Sequence, residues 1–220
     1  MYRFFIKRVV DIVLSFFGLL LLSPLLLIIA LLILIFDGPP IFFLQPRAGK
    51  NLKPFKLIKF RTMVNDAEKM GPLITVENDP RITRLGRFLR STKLDELPQL
   101  LNVLLGHMSF VGPRPQTFKY VEMFKKDYEE ILKVRPGITD LATLEFHNEG
   151  KILSKYEDYE TAYIKEILPV KLELNKKYVK NLSLAMDIKI IVKTSLRVLS
   201  LSLHYLQYSI KKMFRKKQQL

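Results

Sequence analysis

The most pronounced hydrophobic pattern in the chain is an uninterrupted apolar run near its beginning. Residues 12–36 carry no formal charge over 25 positions. As a straight helix, this run is about 37 Å long, against roughly 30 Å for the hydrocarbon core of a membrane. It is too long for the apolar part of a signal peptide, and no small-residue cleavage site follows a shorter apolar stretch. The pattern therefore predicts a membrane-embedded helix.

Two features bear on whether this helix crosses the membrane. Proline removes a backbone donor and clashes with the preceding turn, so Ser23-Pro24 in the middle of the run favours a break. Positive residues favour the cytoplasmic side of a membrane, and they flank both ends of the run: Arg3, Lys7 and Arg8 before it, and Arg47, Lys50, Lys53, Lys56, Lys59 and Arg61 after it. These features suit a helix that returns to the same face. Spanning helices also tolerate proline, so the residues alone leave both topologies open.

Beyond this run, the spacing of apolar residues predicts a small hairpin and several helices. Asp37-Gly38-Pro39-Pro40 is a turn sequence, and the β-prone stretches 41–44 and 55–60 predict a hairpin. Helices are predicted at 65–70, at 83–90, from near 95 to 106, at 116–133, at 154–180 with a break at Pro169, and at 183–206, with a loop at 108–115. The expected fold class is mainly α with a small β-hairpin (α+β).

Composition adds information about partners. The chain has 36 Lys+Arg against 21 Asp+Glu, which gives a formal net charge of +15. This excess indicates polyanionic partners, namely nucleic acid, anionic lipid headgroups or phosphorylated substrates. The 49% of apolar residues argues against a disordered basic protein. Cysteine is absent and no two of the three histidines have metal-ligand spacing, so disulfides and zinc chemistry are not expected.

The adjacent carboxylates Asp95 and Glu96 are the main candidates for chemistry. At a helix start they lie in the positive end of the helix dipole, which favours their ionised forms. A carboxylate can attack phosphorus and form a covalent acyl phosphate. One or two carboxylates together with substrate phosphates are also a typical Mg²⁺ site. Acidic residues in a first helical turn can equally serve only to stabilise the helix, so the pair alone leaves both roles open.

Basic residues and prolines surround this pair in the sequence. Four arginines recur every three residues from Arg81 to Arg90. Such a row winds around a helix, so one or two can meet a phosphate and the others face solvent or lipid headgroups. In Gly112-Pro113-Arg114-Pro115, two prolines stiffen the loop that carries Arg114, as binding of a diphosphate would require. A plain structural turn fits this loop as well.

Several short motifs follow one another in a defined order: Gln45-Pro46-Arg47-Ala48-Gly49, Lys59-Phe60-Arg61-Thr62-Met63, Pro80-Arg81-Ile82-Thr83-Arg84-Leu85-Gly86-Arg87, Leu94-Asp95-Glu96-Leu97-Pro98-Gln99-Leu100, Asn102-Val103-Leu104, Met108-Ser109-Phe110-Val111-Gly112-Pro113-Arg114-Pro115 and Pro136-Gly137-Ile138-Thr139. Together they resemble the motifs of the bacterial sugar transferases, the monotopic phosphoglycosyl transferases that begin glycoconjugate assembly. Each fragment alone is a weak signal, but the ordered set is specific and covers about residues 1–140.

For the membrane part, this resemblance implies a re-entrant helix broken at Ser23-Pro24, with Lys7 and Arg8 among anionic phospholipid headgroups. It implies a bacterial cytoplasmic membrane location with the catalytic domain on the cytoplasmic face. Three parts are expected: a re-entrant membrane hairpin at 1–38, a compact catalytic domain with interfacial amphipathic helices at 39–194, and a basic amphipathic tail at 195–220. The basic residues of this tail fit a helix bound at the membrane surface and a frayed solvated end equally well.

For the chemistry, the resemblance implies an Asp-Glu dyad with Mg²⁺ bound at Asp95 and Glu96. Asp95 would attack the sugar-bearing phosphate of a UDP-sugar and release UMP, and polyprenyl (undecaprenyl) phosphate would then accept the phospho-sugar. The expected substrate-binding residues are Lys59, Arg61, Arg81, Pro113 and Arg114.

The sequence also departs from the family pattern. His107 stands where an acidic residue is usual, and we interpret it as a change outside the catalytic groups. Residues 140–149 replace the usual Gly-Leu followed by a Gln/Asn-rich stretch, although Tyr178, Ser183 and Asp187 resemble the closing segment of the family. The sugar therefore cannot be carried over from better-known members.

Two other classes of function stay open at this point. A membrane-tethered nucleic-acid-binding protein would explain the charge, but no helix-turn-helix, zinc or RNA-binding signature is present, so no nucleic-acid partner is expected. A membrane scaffold without activity would leave the coincidence of Asp95, Glu96 and Arg114 without a reason. The oligomeric state is open as well, with a homodimer among the options.

Overall fold

The structure is a computed structural model that describes residues 5–76, 78–146 and 148–217, with side chains up to residue 203. Its regular elements, in chain order, are α1 (Lys7–Phe36), β1 (Phe42–Ala48), β2 (Pro54–Phe60), α2 (Arg84–Ser91), α3 (Gln99–Leu104), β3 (Ser109–Val111), α4 (Phe118–Met123), α5 (Lys125–Ile131), β4 (Gly137–Thr139), α6 (Leu141–Glu145), α7 (Glu149–Leu153), α8 (Tyr159–Ala162), α9 (Leu168–Lys180) and α10 (Leu184–Lys217). The described part of the chain is therefore mainly helical with two small sheets. The sequence predicted the helical character and the first of these sheets.

The predicted apolar run lies within one long helix, α1. Among the described residues, α1 is the one helix whose length and hydropathy would allow a membrane crossing. Pro24 lies inside it, and because proline has no N–H, the carbonyl oxygen of Leu20 lacks its usual donor. The hydroxyl of Ser23 donates to that oxygen over 2.8 Å. The Ser-Pro pair thus satisfies locally the group that proline leaves without a donor. The predicted break is absent, because α1 continues through Pro24 from Lys7 to Phe36, while the re-entrant topology stays a prediction.

The start of α1 is attached to the folded domain through its two basic residues. Lys7 forms a buried ion pair with Asp187 on α10 at 2.5 Å. The guanidinium of Arg8 donates to the carbonyl oxygens of Val103 (2.6 Å) and Leu104 (2.8 Å) at the C-terminal end of α3. Lys7 and Arg8 therefore bind protein groups, whereas the sequence predicted that they meet lipid headgroups. Their partners lie far away in sequence, which is why local reasoning missed them.

The rest of α1 also packs on this domain. One turn further on, Asp11 accepts a hydrogen bond from Ser109 Oγ over 3.0 Å. Near the other end, Ile33 is fully buried in a cluster with Phe60 on β2 and Leu89 on α2. Between these contacts, most side chains of α1 are exposed and apolar. Both ends of α1 are thus held by one folded domain.

The hairpin predicted after the apolar run is present. Strands β1 and β2 are antiparallel, with Phe42 opposite Phe60 and Ala48 opposite Pro54. The first strand is longer than predicted, because it continues through Pro46 to Ala48. This extension places the Gln-Pro-Arg-Ala motif on the hairpin.

Several helices differ in their bounds from the predicted ones. Residues 65–70 form only a short 3₁₀ turn, Ala67–Lys69, and the helix expected at 116–133 is divided at Phe124 into α4 and α5. The helix α9 begins at Leu168 with Pro169 in its first turn, as the predicted break required. The expected boundary at 195 falls inside α10, which is continuous from Leu184 to Lys217.

A second sheet was not predicted. Strands β3 and β4 are parallel, with Ser109 opposite Gly137 and Val111 opposite Thr139, whereas the sequence predicted a loop at 108–115. The two strands approach each other closely at glycines, because a Cβ on Gly137 would lie 2.1 Å from the backbone nitrogen of Gly112. Each strand has only three residues, too few for an alternation pattern to be visible. This sheet fixes the start of the Gly-Pro-Arg-Pro loop.

Candidate active site

Asp95 and Glu96 lie in a 3₁₀ turn, Leu94–Glu96, that leads into α3. The sequence predicted that the pair begins an α-helix with Pro98 in the first turn. In the structure Pro98 is the N-cap of α3, so both carboxylates precede that helix. The turn starts after Lys93, which adopts the left-handed backbone conformation with a φ of 59°. The environment of the pair is therefore set by neighbouring side chains more than by a helix dipole.

Asp95 is the buried member of the pair without a fixed partner. Its residue is 5% exposed, and its Oδ1 atom accepts no hydrogen bond from any described residue. Burial raises the pKa of Asp95, and the charge of Glu96 raises it further, against the opposing charges of Lys59 and Lys93. A buried carboxylate oxygen without a hydrogen bond is unfavourable, and a cation, a water molecule, a proton or an electrophile can each complete its interactions.

Glu96 has the opposite environment. The guanidinium of Arg114 donates to both carboxylate oxygens of Glu96, from Nη2 to Oε1 over 2.5 Å and from Nη1 to Oε2 over 3.4 Å. Although burial alone would raise the pKa of Glu96, the charges of Arg114 and Lys93 hold that pKa well below its usual range. Two neighbouring carboxylates thus have pKa values moved apart, an arrangement that is typical of functional sites.

Arg114 is held by its own loop. Its backbone N–H donates to Asp140 Oδ2 over 3.1 Å, and the carbonyl oxygen of Pro113 accepts from the backbone N–H of Gly137 over 3.0 Å. Asp140 is fully buried and caps α6 by accepting from the N–H of Thr143. The divergent segment that begins at residue 140 therefore supports the loop. Its first residue positions Arg114, a role that the sequence motif did not indicate.

Lys59, on β2, is the second predicted residue that the structure brings to the dyad. Its ammonium forms no hydrogen bond or ion pair with a described residue. Burial lowers the pKa of Lys59 to about 8, and the charge of Arg47 acts in the same direction, while Glu96 and Asp95 oppose it. Lys59 is thus an available cation beside the two carboxylates.

Arg61 and Arg81 have structural contacts instead. The Nη2 atom of Arg61 donates to the carbonyl oxygens of Asp37, at 2.8 Å, and Gly38, at the exit of α1. All five N–H groups of Arg81 are used within the protein: the acceptors are both carboxylate oxygens of Asp79 and the carbonyl oxygens of Ala67, Pro72 and Ile74. The expected contact of Arg81 with substrate would break this network, because no donor remains. The reason lies in residues 67–74 and in Asp79, whose acceptor atoms surround the guanidinium.

A cavity of about 200 Å³, here called the arginine cavity, lies beside Lys59 and Arg114. Its polar wall includes residues that were not predicted as ligands: Arg47, Gln116, Tyr163 and Lys171. Arg47 is buried, which lowers its pKa to about 10, and it donates to Gln116 Oε1 over 3.0 Å. The Gln-Pro-Arg-Ala motif was a signal for Arg47. No sequence signal pointed to Lys171, which reaches the cavity from α9 and pairs with Glu149 of the divergent segment.

The residues present fit a Mg²⁺ ion that takes part of its ligands from substrate. No group of three or more acidic or histidine side chains suited to a metal occurs in the part of the chain that the structure describes. Mg²⁺ is commonly bound by one or two carboxylates plus substrate phosphates and water. The unsatisfied Oδ1 of Asp95 is a suitable first ligand, and Glu96 adjoins it in sequence.

Comparison with known proteins gives a match to the family model described as bacterial sugar transferase over residues 2–201. An exopolysaccharide production protein PSS of Rhizobium leguminosarum bv. phaseoli is 48% identical over 146 residues, which cover 63% of this chain and 73% of that protein. A UDP-N-acetylgalactosamine-undecaprenyl-phosphate N-acetylgalactosaminephosphotransferase of Aeromonas hydrophila is 36% identical over 201 residues, 89% of this chain and 44% of that protein. A UDP-glucose:undecaprenyl-phosphate glucose-1-phosphate transferase of Escherichia coli K12 is 40% identical over 194 residues, 86% of this chain and 39% of that protein. This chain therefore matches less than half the length of the last two.

Proposed function

Since the chain belongs to the bacterial sugar transferase family, we propose that it transfers a sugar 1-phosphate from a UDP-sugar to polyprenyl phosphate and releases UMP. The names of the Aeromonas and Escherichia relatives support undecaprenyl phosphate as the acceptor class. The observation that carries the proposal is the buried Asp95, whose Oδ1 has no partner among the described residues and which lies beside the cations around Glu96. Neither a scaffold nor a nucleic-acid-binding protein needs such a carboxylate.

In the proposed mechanism, Asp95 is the nucleophile. Its carboxylate oxygen forms a bond to the phosphorus that carries the sugar, and the bond from that phosphorus to the UMP oxygen breaks, so UMP leaves. An oxygen of polyprenyl phosphate then attacks the same phosphorus, and the bond to Asp95 breaks. The product is a polyprenyl diphosphate sugar, and the carboxylate of Asp95 is regenerated.

The basic residues of the arginine cavity supply the electrostatic part of catalysis. Arg114 is 41% exposed at its side chain while it pairs with Glu96, so it can contact a diphosphate from a fixed position. Arg47, Lys59 and Lys171 add positive charge around the same cavity, where negative charge shifts between phosphate oxygens during transfer. Mg²⁺ bound at Asp95 and Glu96 would neutralise phosphate charge and orient the diphosphate.

We also propose that α1 is a re-entrant anchor. Lys7 and Asp11 at one end, and Ile33 at the other, contact the same folded domain. A spanning helix would put its two ends on opposite sides of the membrane, and one of these contact sets would be lost. The basic flanks favour the cytoplasmic face, where the domain would contact anionic headgroups.

The test of this function combines a panel of UDP-sugars with capture of the enzyme-bound intermediate. Detergent-solubilised full-length protein with Mg²⁺ is expected to release UMP from at least one UDP-sugar, and chelation by EDTA is expected to stop the release. Without acceptor, intact-mass spectrometry after acid quenching is expected to detect one phospho-sugar added per chain. Asp95→Asn is expected to abolish this adduct.

The matched control is Asp127→Asn, because Asp127 is an aspartate of α5 that pairs with Lys176. It is expected to keep both UMP release and adduct. No UMP from any UDP-sugar would overturn the proposed function, while UMP formation only when both substrates are present, without an adduct, would overturn the covalent mechanism alone.

A further inference from the structure

Buried polar atoms without a partner are concentrated at the arginine cavity. In the described part of the chain, six buried side-chain nitrogen and oxygen atoms have no hydrogen-bond partner. Three of the six belong to residues that line this cavity: Arg47 Nε, Gln99 Nε2 and Thr117 Oγ1. Because a buried polar atom without a partner lowers the stability of a protein, such atoms need a reason. Their common position indicates that a polar ligand in the cavity completes their hydrogen bonds.

Gln99 is the member of this group that lies nearest in sequence to the nucleophile. It is 1% exposed and is the first residue of α3, four positions after Asp95. Leu97 and Pro98, between the two, have right-handed helical backbone angles. Residues four apart along a helical backbone lie on the same side of it. The amide of Gln99 therefore follows the carboxylate of Asp95 after about one turn.

A second buried amide on α3 has a purely structural role and gives a direct contrast. Asn102 is also 1% exposed. Its Oδ1 accepts from the backbone N–H of Ile58 over 3.0 Å, and its Nδ2 donates to the carbonyl oxygen of Lys56 over 2.8 Å. Asn102 thus joins α3 to β2 with both ends of its amide. Gln99 leaves its Nε2 without an acceptor among the described residues, so the packing of α3 does not explain that N–H.

The proposed mechanism limits which part of the substrate lies beside Gln99. Attack by Asp95 requires the sugar-bearing phosphorus to lie against its carboxylate, which brings the non-bridging oxygens of that phosphorus within reach of the next helical turn. Lys59 and Arg114, whose charges act on Glu96, line the same cavity as Gln99. A neutral N–H adds a directed contact to a phosphoryl oxygen without repelling these cations.

We propose that Gln99 is a catalytic residue whose Nε2–H donates to a non-bridging oxygen of the phosphoryl group, both while that group passes to Asp95 and while it passes from Asp95 to the acceptor. This inference rests on the proposed function. Negative charge shifts between the phosphoryl oxygens during transfer, and a fixed donor stabilises it. The same oxygens are present in both steps, whereas the nucleotide takes part only in the first.

The two half-reactions test this assignment with Gln99→Met, which removes the N–H at nearly the same side-chain volume. We expect it to slow adduct formation from the UDP-sugar about 100-fold, and to slow discharge of the preformed adduct by undecaprenyl phosphate by about the same factor. Rapid-quench measurements on full-length protein in detergent give the first rate as UMP formed without acceptor and the second as loss of the adduct mass. Leu101→Met, at a 38% exposed position of the same helix, is the matched control and should change neither rate.

Thermal unfolding separates this role from a structural one. Because the Nε2 of Gln99 has no acceptor among the described residues, Gln99→Met is expected to keep or raise the unfolding temperature. Asn102→Leu removes two hydrogen bonds to β2 and is expected to lower that temperature.

Three results would show that the assignment of Gln99 is wrong. The first is a loss of stability in Gln99→Met equal to that in Asn102→Leu, which would indicate a structural amide. The second is a slower first step with normal discharge of the adduct, which would indicate contact with the nucleotide. The third is two unchanged rates. Absence of UMP formation by wild-type protein would instead reject the proposed function.

Discussion

The carboxylates of Asp95 and Glu96 are consecutive in sequence but have opposite environments. Arg114 neutralises Glu96, while Asp95 keeps an unsatisfied oxygen in a buried position. One carboxylate therefore remains ionised and fixed, and the other is available for chemistry. The sequence predicted the identity of both residues and of Arg114. It did not predict which carboxylate is paired, because that depends on Asp140, Lys59 and the β3–β4 sheet, which meet only in the folded chain.

Lys59 leads to a prediction about pH. Its pKa is lowered to about 8, so the cation is present below that pH and is lost as the pH rises through it. The rate of UMP release is therefore expected to fall above about pH 8. On the acid side the rate should fall as Asp95, whose pKa is raised, becomes protonated.

The Lys59→Arg variant should remove the alkaline decrease, since arginine stays charged over this range. Lys56→Arg, at an exposed position of the same strand, is the control and should keep the wild-type profile. An alkaline limb that is identical in wild type and Lys59→Arg would exclude Lys59 as its origin.

At the scale of single elements, α1 combines a proline with a hydroxyl that compensates for it. Pro24→Ala restores an N–H that can donate to the carbonyl oxygen of Leu20, so a straight helix becomes more favourable. We expect this variant to move part of the population towards a spanning topology. Because the chain contains no cysteine, a single Phe5→Cys substitution allows clean labelling from each side of the membrane.

In the wild-type background, this cysteine is expected to react only from the cytoplasmic side, and Pro24→Ala should add reaction from the opposite side. Leu21→Ala, at an 80% exposed position of the same helix, serves as the control. Labelling of the wild-type background from the periplasmic side alone would show that α1 spans the membrane.

The contact between α1 and α10 gives a prediction about stability. Lys7 and Asp187 are both buried, and Tyr178 Oη also donates to Asp187 over 2.7 Å. Asp187→Ala leaves a buried ammonium without its partner and is expected to lower the free energy of unfolding by about 3–5 kcal/mol. Thermal unfolding in detergent measures this loss. The comparison is Asp127→Ala, which removes a more exposed pair with Lys176 and should cost about 1 kcal/mol or less. Equal losses of unfolding free energy in the two variants would mean that the buried Lys7–Asp187 pair does not stabilise the packing of α1 on α10.

Element prediction from sequence succeeded where the pattern was long enough. The hairpin and α1 were predicted because apolar residues recur over many positions. The sheet of β3 and β4 was missed because its pairing depends on the close approach of Gly112 and Gly137, which no periodicity records. The arginine series from Arg81 to Arg90 was also ambiguous, since helical spacing alone could not show that Arg81 is enclosed by a loop.

At the scale of the whole molecule, the distribution of charged and apolar residues is consistent with the proposed position of the protein at a membrane surface. The exposed apolar surface of the described residues lies mainly on α1, around the end of the hairpin and along α10 between Leu184 and Leu203. Cations surround the dyad and flank α1. The net charge of +15 by itself could not separate lipid, nucleotide and nucleic acid as partners. The positions of Lys59, Arg90 and Arg114 around the two carboxylates support the proposed phosphorylated substrates.

The attachment of both ends of α1 to one domain has a consequence for how this enzyme responds to its host bilayer. A helix that enters and leaves by the same leaflet has no need to match the full hydrocarbon thickness, so the height of Asp95 above the acyl chains is set by the protein. We expect turnover in vesicles to change less than about twofold as lecithin acyl chains lengthen from 14 to 22 carbons. A steep optimum at one chain length, measured at constant acceptor mole fraction, would instead indicate an anchor that reaches the far leaflet.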